Sequence, residues 1–173
     1  MRFTFTSGNP ANRGVLTPSN KLLYTISSTK FATSTTITRP SDVPGEDKDI
    51  QLASIEFRTW EKDRIVLRGQ TMLVKDWMKR TGLGRLTHYT FTATSGRTYR
   101  WSIELGAYKL RPLDGGLVVA ERPKLIGSGL YLRRETLDVS DEVLQDLVDI
   151  VASFVYISVR RLKQRIASTA ALT

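Results

Sequence analysis

Between Ile150 and Val159 the only small polar residues are Ser153 and Ser158, set among Val151, Ala152, Phe154, Val155, Tyr156 and Ile157. A surface helix keeps one apolar stripe and one polar face. A helix over this stretch is apolar in every direction, so it is predicted to be enclosed by other elements. A membrane-spanning helix needs about 20 apolar residues, and Asp149 cuts the run short, so the enclosure is expected to be protein. Ser140 stands at a plausible N-cap, Asp141 and Glu142 in the first turn, and Arg160, Arg161, Lys163 and Arg165 in the last. These charges suit the helix dipole at both ends and bound the helix at about residues 141–166.

The rest of the chain reads as strands. Phe3 and Phe5 share one face, as do Leu22, Tyr24 and Ile26, then Ile55 and Phe57, then Ile65 and Leu67. Tyr89, Phe91 and Ala93 alternate with threonines, and after a turn at Ser95-Gly96 the pattern resumes with Tyr99, Trp101, Ile103 and Leu105. This predicts a hairpin with one buried face. Shorter strands are expected at Thr35–Arg39, Tyr108–Leu110, Leu117–Glu121 and Leu130–Arg134, with turns at Asp114-Gly115-Gly116 and Ile126-Gly127-Ser128-Gly129. The longest loop is expected at Pro40–Lys48, and a short helical turn within Lys75–Arg80 before a Gly82-Leu83-Gly84 loop. Mainly β with one long C-terminal helix, the chain is predicted to form a closed or nearly closed antiparallel β-barrel around that central hydrophobic helix. Closure removes sheet edges, and the helix fills an interior too wide for strand side chains. A β-sandwich with the helix on one side is the competing fold; it would leave part of residues 150–159 wet.

At 173 residues the chain fits a single domain. Without cysteine it has no disulfide, thiolate metal site or cysteine nucleophile, which suits a reducing compartment. The N-terminal Met1–Ser7 alternates like a strand and lacks the apolar core of a signal peptide, so a cytoplasmic protein, or one peripheral to a membrane, is expected. Nucleotide-loop, zincin and nucleophile-elbow motifs are absent. His88 is the only histidine and sits on a threonine-bearing strand face, where an ordinary exposed residue is expected rather than a catalytic base. Asp138, Asp141 and Glu142 are read as helix-start charges, and Glu46, Asp47 and Asp49 lack calcium-loop spacing, so no metal and no cofactor are predicted.

The formal charge of +9 is unevenly placed: residues 58–100 carry ten Lys/Arg against three Asp/Glu. Such a field attracts phosphate groups, although a solubilising surface would look the same. Lys75, Lys79, Arg80 and Arg85 flank Trp77, Met78 and Leu83, a mixture suited to a membrane interface. On this reading the cations bind anionic lipid while Trp77 and Met78 enter the headgroups; alternatively those two residues plug the fold. Arg64, Arg68, Arg97 and Arg100 project from strand faces and could extend the patch, depending on strand order.

The succession of features resembles the tubby C-terminal-like superfamily, which includes tubby domains, phospholipid scramblases and LURP-one-related proteins. More closely, it resembles a family of small tubby-like domains from mushroom-forming fungi. The resemblance rests on Leu22–Ser27, Thr35–Arg39, Leu52–Phe57, Tyr89–Thr92 leading to Gly96–Trp101, and Ser153–Ile157 followed by Arg160-Arg161. Phe57 stands where that pattern has tryptophan, and Thr94-Ser95 where it commonly has an acidic residue. The resemblance implies a twelve-stranded closed barrel around a central helix and, from the tubby domains, phosphoinositide binding; no ligand residue carries over. The expectation is a non-enzymatic module for anionic phospholipid headgroups. A protein-interaction or structural domain and a nucleic-acid binder are the alternatives, the last weakened because aromatic residues alternate inward and leave few stacking platforms.

Overall fold

The alternating segments form one antiparallel sheet. The computed structural model describes residues 1–29, 32–41, 49–58, 62–82, 87–104, 106–124 and 135–170. The chain runs through β1 (Arg2–Phe5), β2 (Arg13–Leu16), β3 (Leu22–Ser28), β4 (Ser34–Arg39), β5 (Ile50–Glu56), β6 (Arg64–Leu67) and β7 (Gln70–Leu73). A four-residue helix, α1 (Val74–Trp77), leads into β8 (Met78–Thr81), β9 (His88–Thr92), β10 (Thr98–Glu104), β11 (Ala107–Pro112), β12 (Ala120–Arg122) and β13 (Thr136–Val139). A 3-10 turn at Asp141–Asp146 and the helix α2 (Leu147–Ala170) follow.

Spatial order is β7-β6-β5-β4-β3-β2-β1-β13-β12-β11-β10-β9-β8. The first and last strands meet mid-sheet, with Phe3 opposite Leu137, and the edge strands β7 and β8 are consecutive in sequence. The predicted hairpin is β9–β10, with Thr92 opposite Thr98 and Gly96 at φ +86° in its turn, a left-handed conformation that favours glycine.

Apolar residues from both halves of the sheet converge on α2. The Phe154 ring lies 5.7 Å from Phe5 of β1, 5.9 Å from Trp101 of β10 and 5.4 Å from Tyr108 of β11. Phe57, just after β5, stacks on Tyr156 at 5.6 Å. Strands so far apart in the sheet reach one helix only because the sheet curls around it. Residues 150–157 and Val159 are all buried, so α2 is enclosed, unlike the one-sided helix of a sandwich. The enclosed serine is satisfied: Ser153 Oγ accepts from Trp101 Nε1 at 2.9 Å and donates to the Ile150 carbonyl at 2.9 Å.

The closed barrel of about twelve strands is corrected. Thirteen strands form one sheet that does not close, because no ladder joins β7 to β8. The chain crosses from one edge to the other through α1, whose Val74 and Trp77 are buried, so a helical turn stands where a hydrogen-bonded strand pair would be needed. The helix limits also shift. The 141–146 stretch is a 3-10 turn, Ser140 makes no side-chain capping bond, and the α-helix starts at Leu147 and extends to Ala170. The strand expected at Leu117–Glu121 is Ala120–Arg122. The predicted strand at 130–134, the turn at 126–129, Leu83-Gly84 and most of the Pro40–Lys48 loop lie outside the described residues. No helix among the described residues is long and apolar enough to cross a membrane.

Candidate anion-binding cleft

Four parts of the chain meet beside the edge strand β8: Arg58, Lys62 and Asp63 from between β5 and β6, α1, β8 itself, and the stretch of α2 that carries Tyr156 and Arg160. They enclose a cleft of about 700 Å³. Among the described residues six cations line it, Arg58, Lys62, Lys75, Lys79, Arg80 and Arg160, against one carboxylate, Asp63; Tyr89, Tyr156 and Met78 contribute to the wall. β8 pairs with β9 so that Met78 faces Phe91 and Arg80 faces Tyr89, which leaves Lys79 and Arg80 exposed at the edge. α2 delivers Arg160 because its enclosed section ends at Val159 and its next turns emerge from the sheet.

Asp63 is 7% exposed and held from three directions. Its Oδ2 accepts from Arg160 Nη1 at 2.6 Å and from the Tyr156 hydroxyl at 2.9 Å, and its Oδ1 accepts from the Arg58 amide at 3.0 Å. Its backbone carbonyl takes the Val74 amide at 2.9 Å, which ties α1 to the same corner. Burial, then the charge of Asp63, pushes the Tyr156 phenol well above its ordinary pKa, and burial raises Tyr89, so both stay neutral at physiological pH. Arg58 pairs with Glu56 at 2.8 Å and Lys75 approaches Asp76 at 3.8 Å. Lys62, Lys79 and Arg80 have no ion-pair partner among the described residues. A second hollow shares Arg80 and Tyr89 with the first and adds Arg161 and Arg165 of α2.

Of the predicted basic residues, Lys75, Lys79 and Arg80 come together here. Arg100 stands in the same cross-strand row as Lys79, with Thr90 between them. Arg64 is exposed on β6 outside the cleft lining. Arg68 is corrected from strand to turn: it sits after β6 at φ +49°, with Nη2 3.3 Å from Asp149 Oδ2. Arg97 lies 3.7 Å from Asp114, away from the cleft, and Arg85 falls outside the described residues. The expectation that Trp77 and Met78 contact a membrane is corrected too. They are 9% and 4% exposed, drawn inward by packing such as Trp77 against Phe91 at 5.7 Å. Sequence reasoning missed Arg58, Lys62, Asp63, Tyr89, Tyr156 and Arg160. For Arg160 a signal existed: it is the first cation after an enclosed helical run, where an enclosed helix must exit.

His88 is half-buried rather than exposed, with Nδ1 3.1 Å from Ser102 Oγ, and it lines neither hollow. Among the described residues, no group of three or more His, Cys, Asp or Glu side chains converges on a possible metal position.

No curated protein matches this chain. No solved structure matches it either, so no structural neighbour supports the tubby-like resemblance. A family model does match, over residues 8–163, and on that match the chain belongs to the Family of unknown function (DUF6593).

Proposed function

We propose that this domain is a non-enzymatic binding module for anionic phospholipid headgroups, received in the cleft beside β8. The observation that carries the reading is the imbalance of that cleft among the described residues: six cations, three of them without an ion-pair partner there, around one carboxylate already held by Arg160. By contrast the buried Arg13 is paired, with Glu135, which also pairs with Arg122. Unmatched cations in a concave site focus potential on an entering anion. Phosphate oxygens form the stronger, charge-assisted hydrogen bonds with them. At an anionic membrane each cation near the surface contributes about 1 kcal/mol.

With Trp77 and Met78 buried, the binding is electrostatic rather than insertive, and therefore salt-sensitive. Nucleic acid is the weaker reading, because every Phe, Tyr and Trp among the described residues is buried and offers no stacking platform. Flotation with phosphoinositide-containing liposomes tests the proposal. Binding at low ionic strength that disappears in high salt, and in the double variant Lys79→Glu/Arg80→Glu, is expected. Both residues are exposed, so folding stability should move by no more than about 0.5 kcal/mol each. Absence of salt-sensitive binding by the wild-type chain sinks the reading.

A further inference from the structure

We infer that Asp63 is the specificity-determining residue of the cleft and restricts it to phosphomonoesters over phosphodiesters; this rests on the cleft being the headgroup site. Asp63 acts as a resident anion. Its side chain is 6% exposed, whereas that of Arg160, which it holds, is 44% exposed. Any anion that enters therefore meets an Arg160 already neutralised on one side. A phosphodiester has one negative charge and two terminal oxygens. At Arg160 it offers no more than Asp63 offers, and displacing Asp63 would leave a buried carboxylate without its cation, which is costly.

A phosphomonoester carries about −1.5 to −2 charge and three terminal oxygens. Guanidinium presents five N–H donors, and Arg160 makes no hydrogen bond among the described residues besides that to Asp63. Arg160 can thus be shared, with Asp63 in place and a phosphate oxygen on its exposed side. The remaining oxygens then meet Lys62, Lys79 and Arg80. An internal carboxylate at the floor of a basic cleft repels every anion, and only the ligand that engages all four cations recovers what the repulsion removes.

The test compares vesicles of phosphatidylcholine doped with phosphatidic acid, a monoester, or with phosphatidylglycerol, a diester, at matched surface potential. The wild type is expected to prefer phosphatidic acid by roughly tenfold, the worth of one hydrogen bond to a charged group. Asp63→Asn is expected to bind phosphatidylglycerol more tightly than the wild type does and to lose most of the preference. A purely structural role for Asp63 predicts no gain of binding. Should Asp63→Asn fail to fold, Arg160→Lys, which keeps a cation beside Asp63 but removes the guanidinium donors that would be shared with phosphate, is expected to bind both lipids more weakly and to lose most of the preference; an unchanged preference in it overturns the inference. Equal binding of the two lipids by the wild type, still abolished by Lys79→Glu/Arg80→Glu, overturns the role of Asp63 and leaves the cleft standing. An unchanged preference in Asp63→Asn overturns it as well. No binding of either lipid overturns both readings. Tight binding of soluble glycerol 3-phosphate with no gain on vesicles would transfer the site from lipid to solute and overturn the headgroup assignment.

Discussion

The two ends of the enclosed section of α2 meet their surroundings in opposite ways. At the first end Asp146 and Asp149 are each 1% exposed, and the sheet supplies donors to both. Ser95 Oγ and the Tyr99 hydroxyl reach Asp146 at 2.8 and 2.7 Å, while Thr94 and Arg68 reach Asp149 at 3.2 and 3.3 Å. Where the enclosed section ends, at Tyr156 and Arg160, one carboxylate, Asp63, faces six cations among the described residues of an open cleft. The first end locks the helix into the sheet, and the second leaves charge available. Carboxylates that are enclosed and hydrogen-bonded anchor the helix, whereas the open, unbalanced charge is what the proposed headgroup binding would use.

The strongest challenge to this picture is a charge placed midway. Val155 is fully buried, so Val155→Asp introduces an unpaired charge into the enclosed section. It is expected to remove most of a domain's ~5–15 kcal/mol of stability. Unchanged thermal unfolding by circular dichroism would falsify the enclosed-helix architecture.

A smaller effect separates the ends themselves. Tyr99→Phe strips a hydroxyl from an enclosed carboxylate whose Oδ1 already has no partner, and should cost about 1.5–3 kcal/mol in urea unfolding. Tyr156→Phe should cost less, because Asp63 keeps Arg160 and the Arg58 amide. Equal losses would erase the contrast between anchoring and open ends.

The smallest effect is one of pH. Burial raises the pKa of Asp149 above 3.8, and Arg68 and Thr94 only partly oppose it. A carboxyl with a raised folded pKa contributes stability that is fully present below its unfolded value and lost as pH rises through the folded value. The stability of the wild type relative to Asp149→Asn should therefore fall as pH rises from the ordinary aspartate range toward neutrality, read as a series of urea midpoints. A relative stability that rises with pH would mean that the Arg68 pair outweighs burial.

Much of the fold was legible. Period-two runs such as Tyr99-Arg100-Trp101-Ser102-Ile103 mark the long strands, and their buried face packs on α2 as expected. β2, β7 and β8 were not legible, since none places two large apolar side chains on one face as the equally short β1 and β6 do, and in β13 Asp138 was read as a helix-start charge despite the Leu137/Val139 alternation. Lys75, Lys79 and Arg80 were found because they are neighbours in sequence. Their cleft partners Lys62, Asp63 and Arg160 were not, because Asp63 and Arg160 are 97 residues apart and meet only through the curl of the sheet.

The sequence by itself determined that an apolar helix would be enclosed by β structure, because burial and side-chain periodicity are local consequences of residue order. Only the tertiary structure decided that the sheet stays open between β7 and β8, since edge pairing depends on how far curvature carries two strands toward each other and on what α1 places between them. It also decided which cations share a cleft, because electrostatic balance is a property of distances in space and not of spacing along the chain.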